Sequence, residues 1–557
     1  MKRLVFLIAV LILLAVPICP ALAGVPFSLW VSPTGEKTVD AVVWMSQAGG
    51  PYLFLPGNIS LEEWKIGFSG TEELSLNGKP VSRGDSASVL TVGKFNTASG
   101  KNRTVEFTVL QGSENLPAMY ITTRSGSLDN IHKRKDRKES GEMVLRSASD
   151  EVEYSGPLIH MKMRGNASVK YHKKNYLIKL SESTDLEGMG KAKKWVLLGN
   201  GLDKSMLRSQ ITFDMARYAG LPFTPEQRQM ALYVNHEYLG LYLLTERLEI
   251  DNDRVNIRNL EKKTEALNDQ PLSSYPKIGK KSAENGNWKG FEIPAEPEDI
   301  SGGYIIEWEY SKKAYTNASS AYRTKKGNTL VIQSPEYASR AQVQYISSFL
   351  QSFENAIFAE GGVDPLTGKH YSDLVDFDSL VNKYLINEVS KNYDGNHSSE
   401  YFYKPADKDS EKAFAGPVWD LDNTYAVYAR EDNAHKVLLP NRLDIGLDGS
   451  KKYWWPALYK QPDFYAAVTE HYRDIFLPAV EILLGLRPET PVLRSLDSYA
   501  AAIEKSVELE FIRYPATKGE RHGVQTGRDL AENVQYLKTF LQKRMTFLNS
   551  VWLGGNP

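Results

Sequence analysis

Short apolar runs separated by turn residues fill the first part of the chain. Residues 42–45, 52–55 and 104–110 are rich in Val, Leu, Phe, Tyr and Trp. Asn77-Gly78-Lys79-Pro80 and Ser99-Gly100 punctuate them. The pattern predicts a small β-sandwich, immunoglobulin-like in outline, over 24–120; it also fits an irregular extension wrapped on the domain that follows. Strand character returns over 157–180. There Ile159, Met161 and Met163 alternate with His160, Lys162 and Arg164, and Tyr176, Ile178 and Leu180 are interleaved with Leu177 and Lys179. Met206, Ile211, Met215 and Tyr218 predict a helix over 205–219, stopped at Gly220 with Pro222 beyond. Asn235-His236-Glu237 reads as the turn between strands 230–234 and 239–244. Past 340 the pattern turns mostly helical. Val343, Ile346, Leu350, Phe353 and Ile357 form one stripe, and Leu530, Val534, Leu537, Leu541 and Leu548 another, both read as core faces. Helices are expected over 480–557. Residues 261–300, polar and rich in Lys, Glu, Ser, Asn and Pro, read as a long mobile insertion. The charge run 131–140 reads as a solvated loop rather than a binding patch.

Composition narrows the class. With 42% apolar and 24% charged residues the chain is neither wholly disordered nor a polytopic membrane protein. Lys and Arg total 67 against 68 Asp and Glu, a net charge of −1, which argues against nucleic acid as the main partner while leaving room for a local basic groove. At 557 residues, two to four domains are expected, or one large elaborated domain. Lys2 and Arg3, the apolar run 4–16 and Ala21-Leu22-Ala23 have the order of a secretory signal peptide over 1–23. The run is shorter than the ~20 residues of a membrane-spanning helix. The expected mature protein is exported, whether secreted, periplasmic or extracellular, and has no membrane span. Cys19, the single cysteine, falls inside that leader, so no disulfide or thiolate chemistry is expected. Ile18 stands where a lipoprotein leader would carry a small residue.

Three segments carry candidate chemistry. In Gly416-Pro417-Val418-Trp419-Asp420-Leu421-Asp422-Asn423, an extended backbone would turn Asp420 and Asp422 to one side, a plausible divalent-cation site. An Asp-rich turn bonding its own backbone fits the same letters. Upstream lies Ser390-Lys391-Asn392-Tyr393-Asp394-Gly395-Asn396-His397, in which His397 reads as a polar loop residue, metal ligand or base. Arg164-Gly165-Asn166-Ala167-Ser168 with Lys173, Lys174 and Lys179 suits a phosphate group, or else a solvated hairpin. Asp203 or Ser205 would cap the predicted helix. No zinc spacing, Ser/His/Asp set or Gly-rich P-loop is present.

Taken in order, these pieces resemble the CotH (spore-coat protein H) kinase-like family. The resemblance runs through Arg164-Gly165-Asn166, Lys173-Lys174-Asn175-Tyr176, Ile178-Lys179-Leu180, Trp195-Val196-Leu197-Leu198, Asp203-Lys204-Ser205 and Leu207-Arg208. It continues through Val234-Asn235, Tyr238, Gly240, Tyr242, Glu246, Arg254-Val255, Gly302-Gly303-Tyr304, Asn392, Asp394 and Trp419-Asp420-Leu421-Asp422. It implies an α+β architecture, with an atypical protein-kinase-like two-lobed domain over 121–557 behind the N-terminal β-sandwich-like domain. The implied activity is ATP-dependent phosphorylation, with Mg²⁺ or Mn²⁺, of an exported or cell-surface protein. Arg164, Lys174, Lys179 and Glu246 would belong to the nucleotide site, with Lys179 on the α/β-phosphates. Asp394 would orient the acceptor hydroxyl, and Asp420, Asp422 and Asn396 would hold the metal. The departures from ordinary protein kinases are several. There is no G-x-G-x-x-G loop, no His-Arg before Asp394 and no Gly after Asp420. Ser398 or Ser399 stands where a metal-binding Asn is expected. Asp214 is too short to serve as the acidic partner of Lys179 from the 205–219 helix. A non-catalytic surface or assembly protein on a kinase-like scaffold is the alternative these departures leave open.

Overall fold

The computed structural model describes residues 27–554, apart from 44, 48–49, 167, 283–285, 310–311, 396–397, 428–452 and 516–526. The predicted leader, and Asn396 and His397 of the candidate site, lie outside the described residues.

The first strands form two sheets. Ser28–Ser32 pairs with Val42–Val43 on one side and Lys65–Ser69 on the other. A six-stranded sheet includes Gly50–Leu55, Leu74–Leu76 and Arg103–Gln111. Alternating residues of both turn inward to one core: Leu29, Val31, Ile66 and Phe68 from the first, Leu53, Leu55, Leu76, Phe107 and Val109 from the second. The same core takes in Tyr120, Tyr233 and Tyr238 of the next layer.

That layer is a closed seven-stranded barrel, and it begins at Ala118–Thr123, inside the expected sandwich boundary. Around the barrel follow Glu139–Arg146, Val152–Arg164, Asn175–Asp185, Lys191–Leu198, Glu237–Glu246 and Gln227–Val234, which closes the ring by parallel pairing with Ala118–Thr123. Met161, Met163, Tyr176, Ile178, Trp195 and Leu197 fill the interior. Because side chains alternate, their neighbours His160, Lys162, Arg164, Lys179 and Lys194 point outward.

The helix read as 205–219 is Arg208–Tyr218. Its start is displaced because residues 203–206 close a turn, with the Met206 N–H donating to the Asp203 carbonyl at 3.1 Å. Neither Asp203 nor Ser205 is the residue that flanks the helix. Asp203 instead reaches the Arg208 N–H from the turn, at 2.7 Å.

A seven-stranded sheet follows, ordered Lys277–Ser282, Gly286–Phe291, Ser320–Arg323, Thr329–Ser334, Tyr304–Glu309, Glu400–Lys404 and Phe414–Ala415. The segment expected as a mobile insertion, 261–300, therefore supplies two of its strands. Its polar composition misleads because the outer strand is held by backbone pairing to its neighbour. Leu272, Phe291 and Ile293 are buried together there, and Trp288 reaches the large core. Helices Arg340–Phe358, Phe377–Ser390, Leu496–Arg513 and Leu530–Trp552 bury both predicted stripes in one large core. The whole is a mixed arrangement of several sheets and segregated helices, compatible with an α+β class. Among the described residues no helix is long and apolar enough to cross a membrane.

Candidate functional site

A cleft of about 670 Å³ runs between the outer face of the barrel and the seven-stranded sheet. Arg164, Leu177, Lys179, Lys194 and Val196 line it from the barrel, Ile305, Gln333 and Tyr401 from the sheet, and Trp419 from the segment beyond. Lys179 lies in register between His160 and Lys194. Lys194 is paired with Glu249 at 2.9 Å, whereas Lys179 has no ion pair or side-chain hydrogen bond among the described residues. The Arg164 guanidinium stacks over Trp419, 5.2 Å from the ring centroid, which sets it beside Asp420.

The segment carrying Asp420 and Asp422 is not a strand. Asp420 has φ 61°, the left-handed conformation that Asp tolerates better than most side chains. The alternation expected to align the two carboxylates is thus absent. They are neighbours nonetheless, because Trp419 and Leu421 are buried on either side and Asp420 and Asp422 line one small recess with Arg164 and Asn175. Asp420 is open to solvent on one side, with protein around the rest of it; Ser399 Oγ donates to it at 3.2 Å. Its pKa is raised, first by burial and then by Asp394, with Arg164 opposing. That of Asp422 is raised by burial, then by Asp420, Asp394 and Asp203.

Asp394 arrives from the other direction. Helix Phe377–Ser390 ends with Lys391 at φ 50°, and the chain doubles back. The Asp394 N–H donates to Asn392 Oδ1 at 3.1 Å, and Asn392 Nδ2 donates to Asn387 Oδ1 at 3.0 Å. Two backbone bonds tie this turn to the Asp422 segment: Tyr393 N–H to the Asn423 carbonyl at 2.9 Å, and Tyr425 N–H to that of Ser390 at 2.6 Å. Asn423 Nδ2 then donates to Asp394 Oδ2 at 3.0 Å. Asp394, Asp420 and Asp422 are thereby brought into one neighbourhood.

Sequence reasoning missed three members of it. Glu307 and Glu309 lie on one side of strand Tyr304–Glu309, a placement the alternation Glu307-Trp308-Glu309 carries in plain letters. Glu309 accepts from Ser398 Oγ at 2.8 Å and is pushed up to about 7 by burial, with Glu307, Asp394 and Asp420 adding to it. Glu307 is likewise raised, by burial first and with Asp420 adding to it. Asn423 is the third. Its Oδ1 is buried with no hydrogen-bond partner among the described residues; it ends the Asp420 segment, where an Asn reads as a turn residue.

Two expected site residues are engaged elsewhere. Lys174 donates to the carbonyls of Val169, at 2.9 Å, and Tyr171, tying down the turn after Arg164. Glu246 pairs with Arg254 at 2.8 Å, and Arg254 lies over Trp195 at 4.6 Å; burial pushes Glu246 up to about 7. Neither lines the cleft. Lys173 is buried against Glu510 at 2.7 Å, clasping the barrel to helix Leu496–Arg513. Asp214 is taken up by Arg217, Gln227 and Tyr499.

Among the described residues no three His, Cys, Asp or Glu side chains converge closely enough to form a finished metal cage. The donor set still suits a hard cation. It is all oxygen, its carboxylates raise one another's pKa values, and beside them lies a buried amide oxygen with no hydrogen-bond partner among the described residues. Mg²⁺ keeps several waters and substrate oxygens and needs only one or two carboxylates.

The cleft carries charges of both signs, and through Arg164 and Trp419 it adjoins the recess lined by Asp420 and Asp422. A family model described as CotH kinase protein matches residues 161–548, most of the chain. The chain belongs to the CotH kinase family. No curated protein matches it.

Proposed function

We propose that this protein is an atypical kinase that transfers the γ-phosphoryl group of ATP to a hydroxyl of an exported or cell-surface protein, and that it is itself exported. One observation carries the reading. Lys179 and the stacked Arg164 line a cleft, and Arg164 and Trp419 also wall the small recess that holds Asp420 and Asp422, with the amide-oriented Asp394 in the same neighbourhood. Phosphoryl transfer asks a protein mainly for positioning and charge neutralisation. Arg164 and Lys179 would offset nucleotide phosphate charge. Asp394, held by Asn423, would orient the acceptor hydroxyl and take its proton. Asp420 and Asp422 would hold Mg²⁺ or Mn²⁺, which when bound neutralises charge on the phosphate oxygens.

The test is intact mass of the purified protein after incubation with ATP and either metal, beside Asp394→Ala and Asp420→Ala. Increments of one phosphate are expected in the parent. Asp394→Ala should lose them while still binding nucleotide, and Asp420→Ala should lose metal-dependent nucleotide binding. A parent that neither binds nucleotide nor gains mass refutes the reading and leaves a non-catalytic scaffold.

A further inference from the structure

The outer face of the barrel carries more positive charge than the cleft can use. His160, Lys162 and Arg164 share the outward side of strand Val152–Arg164, and His160 is in register with Lys179, itself in register with Lys194. With strands ~4.8 Å apart and same-side residues ~7 Å apart, these side chains form one continuous array. Arg164, Lys179, Lys194 and Arg247 line the cleft, whereas His160 and Lys162 lie outside its lining.

The charge run 131–140 joins them there. Lys135 Nζ donates to the Gly165 carbonyl at 2.5 Å and to Asn166 Oδ1 at 2.9 Å, fastening the run to the turn beyond Arg164. The crowding of like charge is visible in protonation. Burial lowers Lys162, and Lys138, Arg247, Lys135 and Lys194 lower it further. His160 is held down to about 4 by burial and then by Lys138, Lys162, Lys179 and Lys194, so it is neutral at pH 7. Inside the cleft Glu249 pairs with Lys194 and Arg247, each at 2.9 Å, and Asp251, Glu261, Glu265 and Glu336 share the lining, so the excess of positive charge lies on the rim outside it. Lys138 and Lys162 have no ion pair among the described residues.

We infer that this rim, centred on Lys138 and Lys162, is a docking strip for an acidic segment of the acceptor polypeptide, which lies along the barrel while the acceptor hydroxyl enters the cleft. The identity of the docked chain as the acceptor rests on the phosphotransfer reading above. Charge complementarity sets the chemistry, since Lys138 and Lys162, which have no ion pair among the described residues, attract carboxylates and repel basic segments. The strip is short and the chain as a whole is near neutral, which favours a peptide over a nucleic acid, whose binding proteins are usually basic overall.

The test uses the full chain without ATP and reads fluorescence anisotropy of labelled peptides of equal length carrying one Ser in Glu/Asp-rich, neutral or Lys-rich flanks. The acidic peptide should bind most tightly, and more weakly as salt is raised. Lys138→Gln with Lys162→Gln should weaken it about three- to tenfold, the worth of two exposed ion pairs, and leave nucleotide binding unchanged. Lys138→Glu with Lys162→Glu should turn the preference toward the Lys-rich peptide, a gain that a misfolded variant cannot produce. Equal binding of acidic and neutral peptides, an unchanged affinity in the Gln variant, or tighter binding of an oligonucleotide of equal charge would each overturn the strip. Binding is read without turnover, so an intact acidic preference in a protein that transfers no phosphate refutes the kinase reading alone.

Discussion

At Asp394 an amide from another segment helps decide where the carboxylate points. Asn423 Nδ2 donates to it at 3.0 Å, and the backbone bonds between residues 390–393 and 423–425 hold the two segments together whether or not that amide is present. Asn423→Ala should therefore leave the fold intact and free the carboxylate to turn. A hydrogen bond to a charged group contributes about 1.5–3 kcal/mol, so kcat for phosphate transfer should fall about ten- to a hundredfold. The KM for ATP should change little, because the Asn423 amide goes to Asp394 and not to Arg164 or Lys179. Steady-state kinetics on the parent and the variant would check the split. A fall confined to KM would contradict the orienting role.

At the scale of elements, the site depends on a buried ion pair that never touches it. Asp203 takes the Arg208 N–H at the start of helix Arg208–Tyr218 and pairs with the Arg208 guanidinium, both residues being almost fully buried. Arg208 Nε donates to the Thr424 carbonyl at 3.1 Å, immediately beyond Asn423. The helix start, the turn before it and the Asp422 segment are thus one hydrogen-bonded unit. Asp203→Ala would leave a buried guanidinium unpaired, which costs about 3–5 kcal/mol. The variant's denaturant midpoint should drop accordingly, and metal-dependent nucleotide binding should weaken with it. A stability within about 0.5 kcal/mol of the parent, the range of ordinary surface substitutions, would show that the pair is not the anchor described.

Across the whole molecule, several carboxyls are buried in places that favour the proton. Glu246, Glu309 and Glu400 are each pushed up to about 7 from the usual 4.5, in every case by burial first. A carboxyl raised in the folded state keeps its proton where the unfolded chain has lost it. The folded protein then binds more protons between those two values, and its stability falls as pH rises through that window. The contribution is complete below about 4.5 and gone above about 7. In metal-free buffer the thermal midpoint should decline from about pH 5 to about pH 8. Glu309→Gln, which keeps the bond from Ser398, should make that decline shallower. Calorimetric melts across the range would check it, and a rising or flat profile in the parent would refute it.

The barrel-strand and helix periods and the ordered set of short motifs, Asn392-Tyr393-Asp394 among them, were legible in the letters, because each depends on neighbours along the chain. Met161, Met163, Tyr176 and Ile178 face one way and Lys162, Arg164, Leu177 and Lys179 the other by strand geometry alone. The family followed from the order of those pieces. Barrel closure did not, because it depends on strand Ala118–Thr123 meeting Gln227–Val234 across more than a hundred residues. Nor did the engagement of Lys174 and Glu246 in structural bonds, since a basic or acidic residue reads the same whether its partner is a carbonyl, an arginine or a phosphate. Glu307, Glu309 and Asn423 entered the site for a related reason. Glu307 and Glu309 reach Asp394 and Asp420 from a sheet strand distant in sequence, and Asn423, a near neighbour of Asp420, meets Asp394 only because the chain turns back; only the packed chain brings these groups within range of one another.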